Sequence, residues 1–305
     1  MFRKTLSYCM LAVFFAAQAA AQNHNRQNPV FTFDASIDQV DKLVEGPNDV
    51  LASAFVMGTT SEVKARFEWR NDAGGRTFLD PFLRFDAFPE AKTPQVLILG
   101  VFAEHRQKLT YNENVQLRAR AGLEYSRNAF SRITLQAALN IRHDKANTSQ
   151  VMVRYRYRDQ DDAQTFGGFD QHEMYMSFRR TWKPDHELFT RVSSLIYCDF
   201  RQAEERRFDY LEVGTRLQIR VEPQQNWRLT ATAKGFVRQY GDNFSTTRNI
   251  LRHDQRLSID VGARYEVDAR QNIRGTLGWV TNRSNIKTRA FSGATFRLEY
   301  AIDLN

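Results

Sequence analysis

The sequence predicts an all-β protein, an antiparallel transmembrane β-barrel of about 14 strands, with 12 or 16 also compatible with the count. Three observations carry this: an export leader, strict two-residue alternation of apolar and polar side chains in segment after segment, and connections that alternate between short and long. Each is taken in chain order.

The 305-residue chain opens MFRKTLSYCMLAVFFAAQAAAQ. Arg3 and Lys4 precede an apolar run from Leu6 to Ala17, followed by the small residues Ala19, Ala20 and Ala21. That order is the charged, apolar and small-residue sequence of a cleavable secretory signal. The run is too short for the roughly 20 residues of a spanning helix. The expected organisation is a signal over residues 1–21 and a single barrel domain over 22–305. Cys9 sits inside the apolar run, which is the wrong context for a lipid-modified cysteine. Loss of the leader removes two cations from a formal net charge of +8 and leaves Cys198 as the one cysteine, so no intramolecular disulfide forms. No later window holds the roughly 18 consecutive apolar residues of a helical span. The arginines are spread at strand spacing instead of gathered in one patch, which argues against a nucleic-acid partner.

Residues 30–58 hold two candidate strands, VFTFDASIDQV and VLASAFVMG. Beyond them Val63, Ala65, Phe67 and Trp69 oppose Lys64, Arg66, Glu68 and Arg70. Pro81 falls inside the next segment, where a missing N–H predicts a bulge or strand end. Val115, Leu117, Ala119, Ala121, Leu123 and Tyr125 oppose Gln116, Arg118, Arg120 and Glu124, and Ile133, Leu135, Ala137, Leu139 and Ile141 oppose Arg132, Thr134, Gln136, Asn140 and Arg142. In VMVRYRYRD, Val151, Val153, Tyr155 and Tyr157 face away from Arg154, Arg156 and Arg158. Leu211, Val213, Leu217, Ile219 and Val221 oppose Glu212, Arg216, Gln218 and Arg220. Leu257, Ile259, Val261, Ala263 and Tyr265 oppose Ser258, Asp260, Arg264 and Glu266. A small soluble barrel or sandwich also alternates, but its narrow interior has no room for so much apolar face.

Short turns are expected at 183–186, 222–226 and 268–272, and longer loops at 159–170, 200–206, 240–254 and 284–290. Outer-membrane barrels place short turns in the periplasm and long loops outside. Trp69, Trp182 and Trp227 then fall on the periplasmic side as an interfacial girdle, whereas Trp279 lies mid-strand and does not fit it. From Ser61 to Leu304 about thirteen segments can be counted, and periplasmic placement of both ends requires one more from residues 30–58.

The last three segments, LSIDVGARYEVDARQNIRGTLGWVTNRSNIKTRAFSGATFRLEYAIDL, resemble the C-terminal end of Gram-negative outer-membrane barrels. They are most similar to the barrel domain of surface lipoprotein assembly modifiers, with NRSN at Asn282 to Asn285 before the final strand. Phe296, Leu298, Tyr300 and Ile302 resemble the signal read by the barrel assembly machinery. The resemblance implies an outer-membrane location, with outer-membrane lipid and that machinery as partners and an exported lipoprotein as a further one. Two features depart from the family: its helical-repeat domain has no counterpart here, and the last residue is Asn305 instead of Phe or Trp.

A lipid-facing arginine near the bilayer midplane costs about 2–4 kcal/mol, so the charged faces should turn inward. The expected lumen residues are Arg118, Arg120, Glu124, Arg142, Arg154, Arg156, Glu212, Arg216, Arg220, Asp260, Arg264 and Glu266. One reading is an electropositive pore for polar or anionic solutes. The other is a lattice of cross-strand ion pairs in a closed barrel, which the interspersed acids favour. His24, His105, His143, His172, His186 and His253 form no metal-binding spacing, so neither metal nor cofactor is expected. Asp159, Asp161 and Asp162 read as a solvated acidic loop ahead of a cation site. Hydrolysis at the barrel rim, around His143 or His253, is the third reading. No nucleophile and base stand at a recognised spacing, so the expectation is that the chain is not an enzyme.

Overall fold

A computed structural model describes residues 25–26, 29–45, 51–72, 74–91, 95–109, 112–126, 129–160, 168–245 and 248–304. The signal segment, His24 and the loop acids Asp161 and Asp162 lie outside these residues. The strands are β1 (Asn25–Arg26), β2 (Val30–Glu45), β3 (Leu51–Arg70), β4 (Arg76–Ala87), β5 (Gln95–Leu109), β6 (Asn112–Ser126), β7 (Phe130–Arg142), β8 (Asn147–Gln160), β9 (Gln171–Trp182), β10 (Phe189–Ala203), β11 (Tyr210–Gln224), β12 (Trp227–Ser245), β13 (Arg248–Glu266), β14 (Gln271–Ser284) and β15 (Phe291–Asp303). Each strand from β3 to β15 pairs antiparallel with the one before it, and β15 closes on β2. The closed ring is therefore the expected 14 strands, β2 to β15. β1 contributes only Asn25 and Arg26, beside Arg70 and Trp69. Both segments from residues 30–58 are used: the first is β2, and the second runs on without a break into Val63 and beyond as the 20-residue β3.

Alternation decides which side chains meet which surroundings. Leu97, Leu99, Val151, Val153, Ile196, Val213 and Leu277 are exposed on the outer wall, whereas Asp38, Glu104, Glu173, Glu212 and Asp254 are buried on the inner one. That inversion of the soluble pattern is what a wall in hydrocarbon demands. Unpaired backbone groups cannot be left in lipid, so closure of the ladder is obligatory there.

Pro81 lies in mid-strand with neither bulge nor strand end, contrary to expectation. β4 pairs continuously with β5 through Pro81↔Val101. On the other side the β3–β4 register omits only Ala65 and Arg66, opposite Pro81 and Asp80. Arg66 spans that gap with two hydrogen bonds of 2.8 Å to the Asp80 carboxylate. The connection expected at 240–254 is also mostly strand: β12 continues to Ser245 and β13 begins at Arg248. Polar residues on both faces hide strand alternation once a hairpin rises beyond lipid.

The seam is the least complete junction. β15 pairs β2 only from Phe296↔Gln39 to Asp303↔Thr32, so Phe291 to Thr295 have no partner on that side. There β2 and β3 lean inward as a hairpin. Asp41 accepts hydrogen bonds of 2.8 and 3.1 Å from Arg256 of β13, and Phe55 meets Phe291 edge-on at 5.8 Å. Gly293 is required here, because a Cβ would fall 2.5 Å from the Phe55 ring. Lower down, the Leu304 N–H donates to the Phe31 carbonyl at 2.8 Å, and Arg297 bonds the Asp38 carboxylate at 2.5 Å.

The two faces of β8 give a direct check. Val153→Arg should cost about 2–4 kcal/mol and lower the fraction folded into lipid vesicles, read by heat-modifiable gel mobility. Arg154→Gln should fold nearly as well, because Arg156 and Arg201 still hold Glu173. Equal damage from both would mean that the face assignment is wrong.

Candidate functional site

The inner wall is built as a layer of carboxylates beneath a layer of guanidiniums. Glu173, near the outer end of β9, is shared by Arg154 (2.5 Å), Arg156 (3.2 Å) and Arg201 (3.2 Å); its side chain is 4% exposed against 22% for Arg154. Glu104 pairs with Arg106 and Arg118, Glu124 with Arg132, Glu212 with Arg238, and Asp254 with Arg252. At the seam Asp38 is 1% exposed beneath an Arg297 that is 50% exposed. Length explains the order. A short carboxylate stays near the backbone, and a long guanidinium reaches over it while keeping donors toward the interior. The acids hold the lattice together and the arginines form its surface.

Aromatic rings keep those guanidiniums flat. Arg238 lies over Tyr210 at 4.2 Å and Arg252 over Tyr240 at 4.4 Å. Arg154 stacks on Tyr175 at 4.5 Å, and Tyr175 on Tyr197 at 5.4 Å. The Tyr197 hydroxyl donates to Glu212 at 2.7 Å. Its ring fills the space left by Gly214, where a Cβ would stand 2.4 Å away. Toward the outer end Arg238, Tyr210, Arg252 and Tyr240 help to line a chamber of about 620 Å³. Its lining includes seven arginines, Arg158, Arg201, Arg207, Arg238, Arg252, Arg256 and Arg289, against two acids, Asp41 and Asp254. The leaning hairpin contributes Asp41, Lys42 and Ser53 to that lining.

Most residues expected in the lumen lie on the inner face. Arg118, Arg154, Arg156, Glu124 and Glu212 join the ion-pair layer. Arg120 lies over the Phe102 ring at 4.0 Å. Asp260 packs at Gly278, where a Cβ would fall 2.2 Å from its Oδ1. Arg216 and Arg220 face inward from β11, opposite Lys234 and Thr230. Three lie nearer the periplasmic rim. Arg142 is exposed and bonds Asn114 at 3.3 and 3.4 Å, while Arg264 and Arg228 flank an open Glu266 at 3.7 and 3.8 Å. Sequence reasoning missed Arg179, Arg191 and Lys234, and it missed the whole ring of aromatic supports. The Arg179-Arg180 doublet could have pointed to Arg179, because adjacent strand residues face opposite ways.

Trp69, Trp182 and Trp227 stand at strand ends on the rim that carries Asp303, and Trp227 packs on Tyr265 at 5.0 Å. The His143 Nε2 is 2.9 Å from the Ser149 hydroxyl. Asp144 takes no part in that pair. The Asn147 amide, with the backbone N–H groups of Asn147 and Ala146, binds its carboxylate and holds its pKa below the usual range.

No family model and no curated protein matches this sequence. Solved structures do. A loop L8 deletion mutant of OmpT, an outer membrane protein of Vibrio cholerae, superposes with a TM-score of 0.51 at 9% identity, over 92% of this chain and 100% of that one. A bacterial polysaccharide outer membrane secretin gives 0.52 at 11%, over 91% and 98%. In-vitro folded OmpT gives 0.50 at 9%, over 90% and 97%.

This chain has the fold of a Gram-negative outer-membrane β-barrel. Its apolar outer wall suits that membrane, and the outer membrane is its location. The comparisons also correct one expectation. The sequence argued against an enzyme, but barrels such as OmpT share this fold at an identity that carries a scaffold and no activity. The exclusion of catalysis therefore falls.

The ion-pair layer makes its own test. Glu173→Gln leaves three arginines around a neutral amide, and breaking a buried pair from one side costs on the order of 3 kcal/mol. The urea midpoint for unfolding from vesicles should fall accordingly. An unchanged midpoint would remove Glu173 from any structural role.

Proposed function

We propose that this barrel is a channel favouring anions. One observation supports it above all: the carboxylates of the inner wall lie beneath the arginines that pair with them, so a solute inside meets guanidinium groups first. Charge balance within the wall and an electropositive surface are then compatible, and the ion-pair lattice no longer competes with the pore reading. Guanidinium donors held flat on rings suit carboxylate and phosphate oxygens. The likeness to a polysaccharide secretin supports the scaffold alone, and that scaffold is compatible with passage of an extended polar solute. In this reading the partners are outer-membrane lipid, the assembly machinery that receives the last strand, and the anion itself.

Planar-bilayer conductance of the refolded mature protein across a salt gradient is the test. Discrete steps with a reversal potential displaced toward anions are expected. Silence from protein shown to be folded by its gel mobility would leave the arginine rows as a cross-strand lattice alone.

A second reading draws on the resemblance of the last three segments to surface lipoprotein assembly modifiers and on the incomplete seam. A wall whose final strand is unpaired over its outer five residues on one side suits a barrel that handles an amphiphilic cargo. Deletion of the gene followed by surface labelling of lipoproteins tests it; an unaltered display pattern would discard that role.

A further inference from the structure

A second cavity lies toward the periplasmic end, remote from the outer chamber. It measures about 280 Å³ and is formed by the periplasmic ends of β5 to β10. Its described lining includes three arginines, Arg142, Arg179 and Arg191, beside amides and hydroxyls such as Asn140, Gln150 and Ser149, and holds no carboxylate. In the ion-pair layer an acid lies beneath the arginines, whereas no described carboxylate lies within ion-pairing distance of Arg179 or Arg191.

The backbone is shaped to make it so. The β10–β11 register slips between Phe189 and Arg191, a bulge at Thr190. Without it, Phe189 and Arg191, two positions apart, would face the same way. With it, Phe189 is exposed on the outer wall and Arg191 comes directly opposite Arg220. Like charges opposed across a ladder are destabilising. Other opposed arginines have a carboxylate beside them: Arg228↔Arg264 has Glu222 and Glu266, and Arg106↔Arg118 shares Glu104. At Arg191↔Arg220 no described carboxylate lies within ion-pairing distance of either guanidinium, and the buried Nε atoms of both have no hydrogen-bond partner. Gln150 and Asn140 hold each other at 2.7 Å, which fixes the opposite wall.

We infer that this cavity is a binding site for a small polyvalent oxyanion, a solute carrying two or more carboxylate or phosphate groups. Arg179 and Arg191 converge on the cavity with no described carboxylate within ion-pairing distance, and a ligand of matching charge would balance them. The volume lies just below the range of ligand pockets, roughly 300–1,000 Å³, and so limits the ligand to a small one. Chloride fills neither the space nor the bidentate donors of an arginine. The inference deepens the anion-channel reading by placing a selective station inside it, and relies on that reading for the route by which solute arrives.

Isothermal titration of the detergent-solubilised, folded barrel with citrate and with tripolyphosphate tests it. Either probe should bind the wild type at 0.1 M salt, and the tighter one names the preferred head group. Arg179→Gln and Arg191→Gln should each weaken binding about tenfold or more, whereas Arg283→Gln, which removes the same charge outside the cavity, should not. Absence of binding to folded wild type, or equal loss in all three variants, would overturn the site. Bilayer recordings separate this from the channel reading. Citrate binding without anion-selective current sinks the channel and keeps the site, and chloride selectivity without citrate or tripolyphosphate binding does the reverse.

Discussion

In hydrocarbon a strand edge has no water to satisfy it, and so the register that joins β15 to β2, from Asp303↔Thr32 to Phe296↔Gln39, is the interaction on which the rest of the molecule depends. Closing the ring creates an inside and an outside. Only then does a two-residue alternation acquire two different surroundings, with Val153 and Leu277 sent to lipid and Glu173 and Asp254 sent inward. The same closure explains how Pro81 is tolerated in mid-wall. β4 keeps its full ladder with β5, and the side-chain pair Arg66–Asp80 spans the gap on the β3 side.

Inside, side-chain length converts a mixed composition into a layered one. Acids are interspersed with arginines along the inner face, and in sequence that reads as a lattice of paired charges. The short carboxylates stay at the wall and the long guanidiniums cover them, so the field met by a solute differs from the sum of the wall's charges. The aromatic supports prevent the arginines from collapsing across the interior, as Tyr210 does for Arg238 and Tyr240 for Arg252. A lattice that stabilises the barrel and a surface that attracts anions are thus the same set of residues seen from opposite sides.

The sequence made the strand rhythm, the strand count and the two faces legible because each rests on a local rule. Val151, Val153, Tyr155 and Tyr157 can be assigned to lipid with no knowledge of their neighbours, and parity of the connections supplies the missing strand near residue 30. What it hid was anything set by stagger between strands. Arg66 meets Asp80 and Arg256 meets Asp41, separations of 14 and 215 residues that no spacing rule relates. The bulge at Thr190 is equally silent, since Phe189-Thr190-Arg191 reads as ordinary alternation until the partner strand shows that one residue has dropped out of register. For the same reason Arg191 was overlooked, while Arg216 and Arg220, on a strand that alternates regularly past them, were found. The strand extensions at 240–254 failed to show because lipid no longer enforces an apolar face there.

The unpaired stretch of β15, Phe291 to Thr295, gives the barrel a mechanical polarity. Around the rest of the circumference, lateral pressure from the bilayer is resisted by backbone hydrogen bonds, which share load along whole strands. At this one line the outer half of the wall is carried by the Asp41–Arg256 bridge and the Phe55–Phe291 contact, beside an outward-facing Trp279 at the level of Ala294. An ion pair and a ring contact yield singly, whereas a ladder yields as a unit. Deformation of the cylinder is therefore concentrated along one meridian, toward its outer end, and the molecule has a hinge line without having a hinge loop.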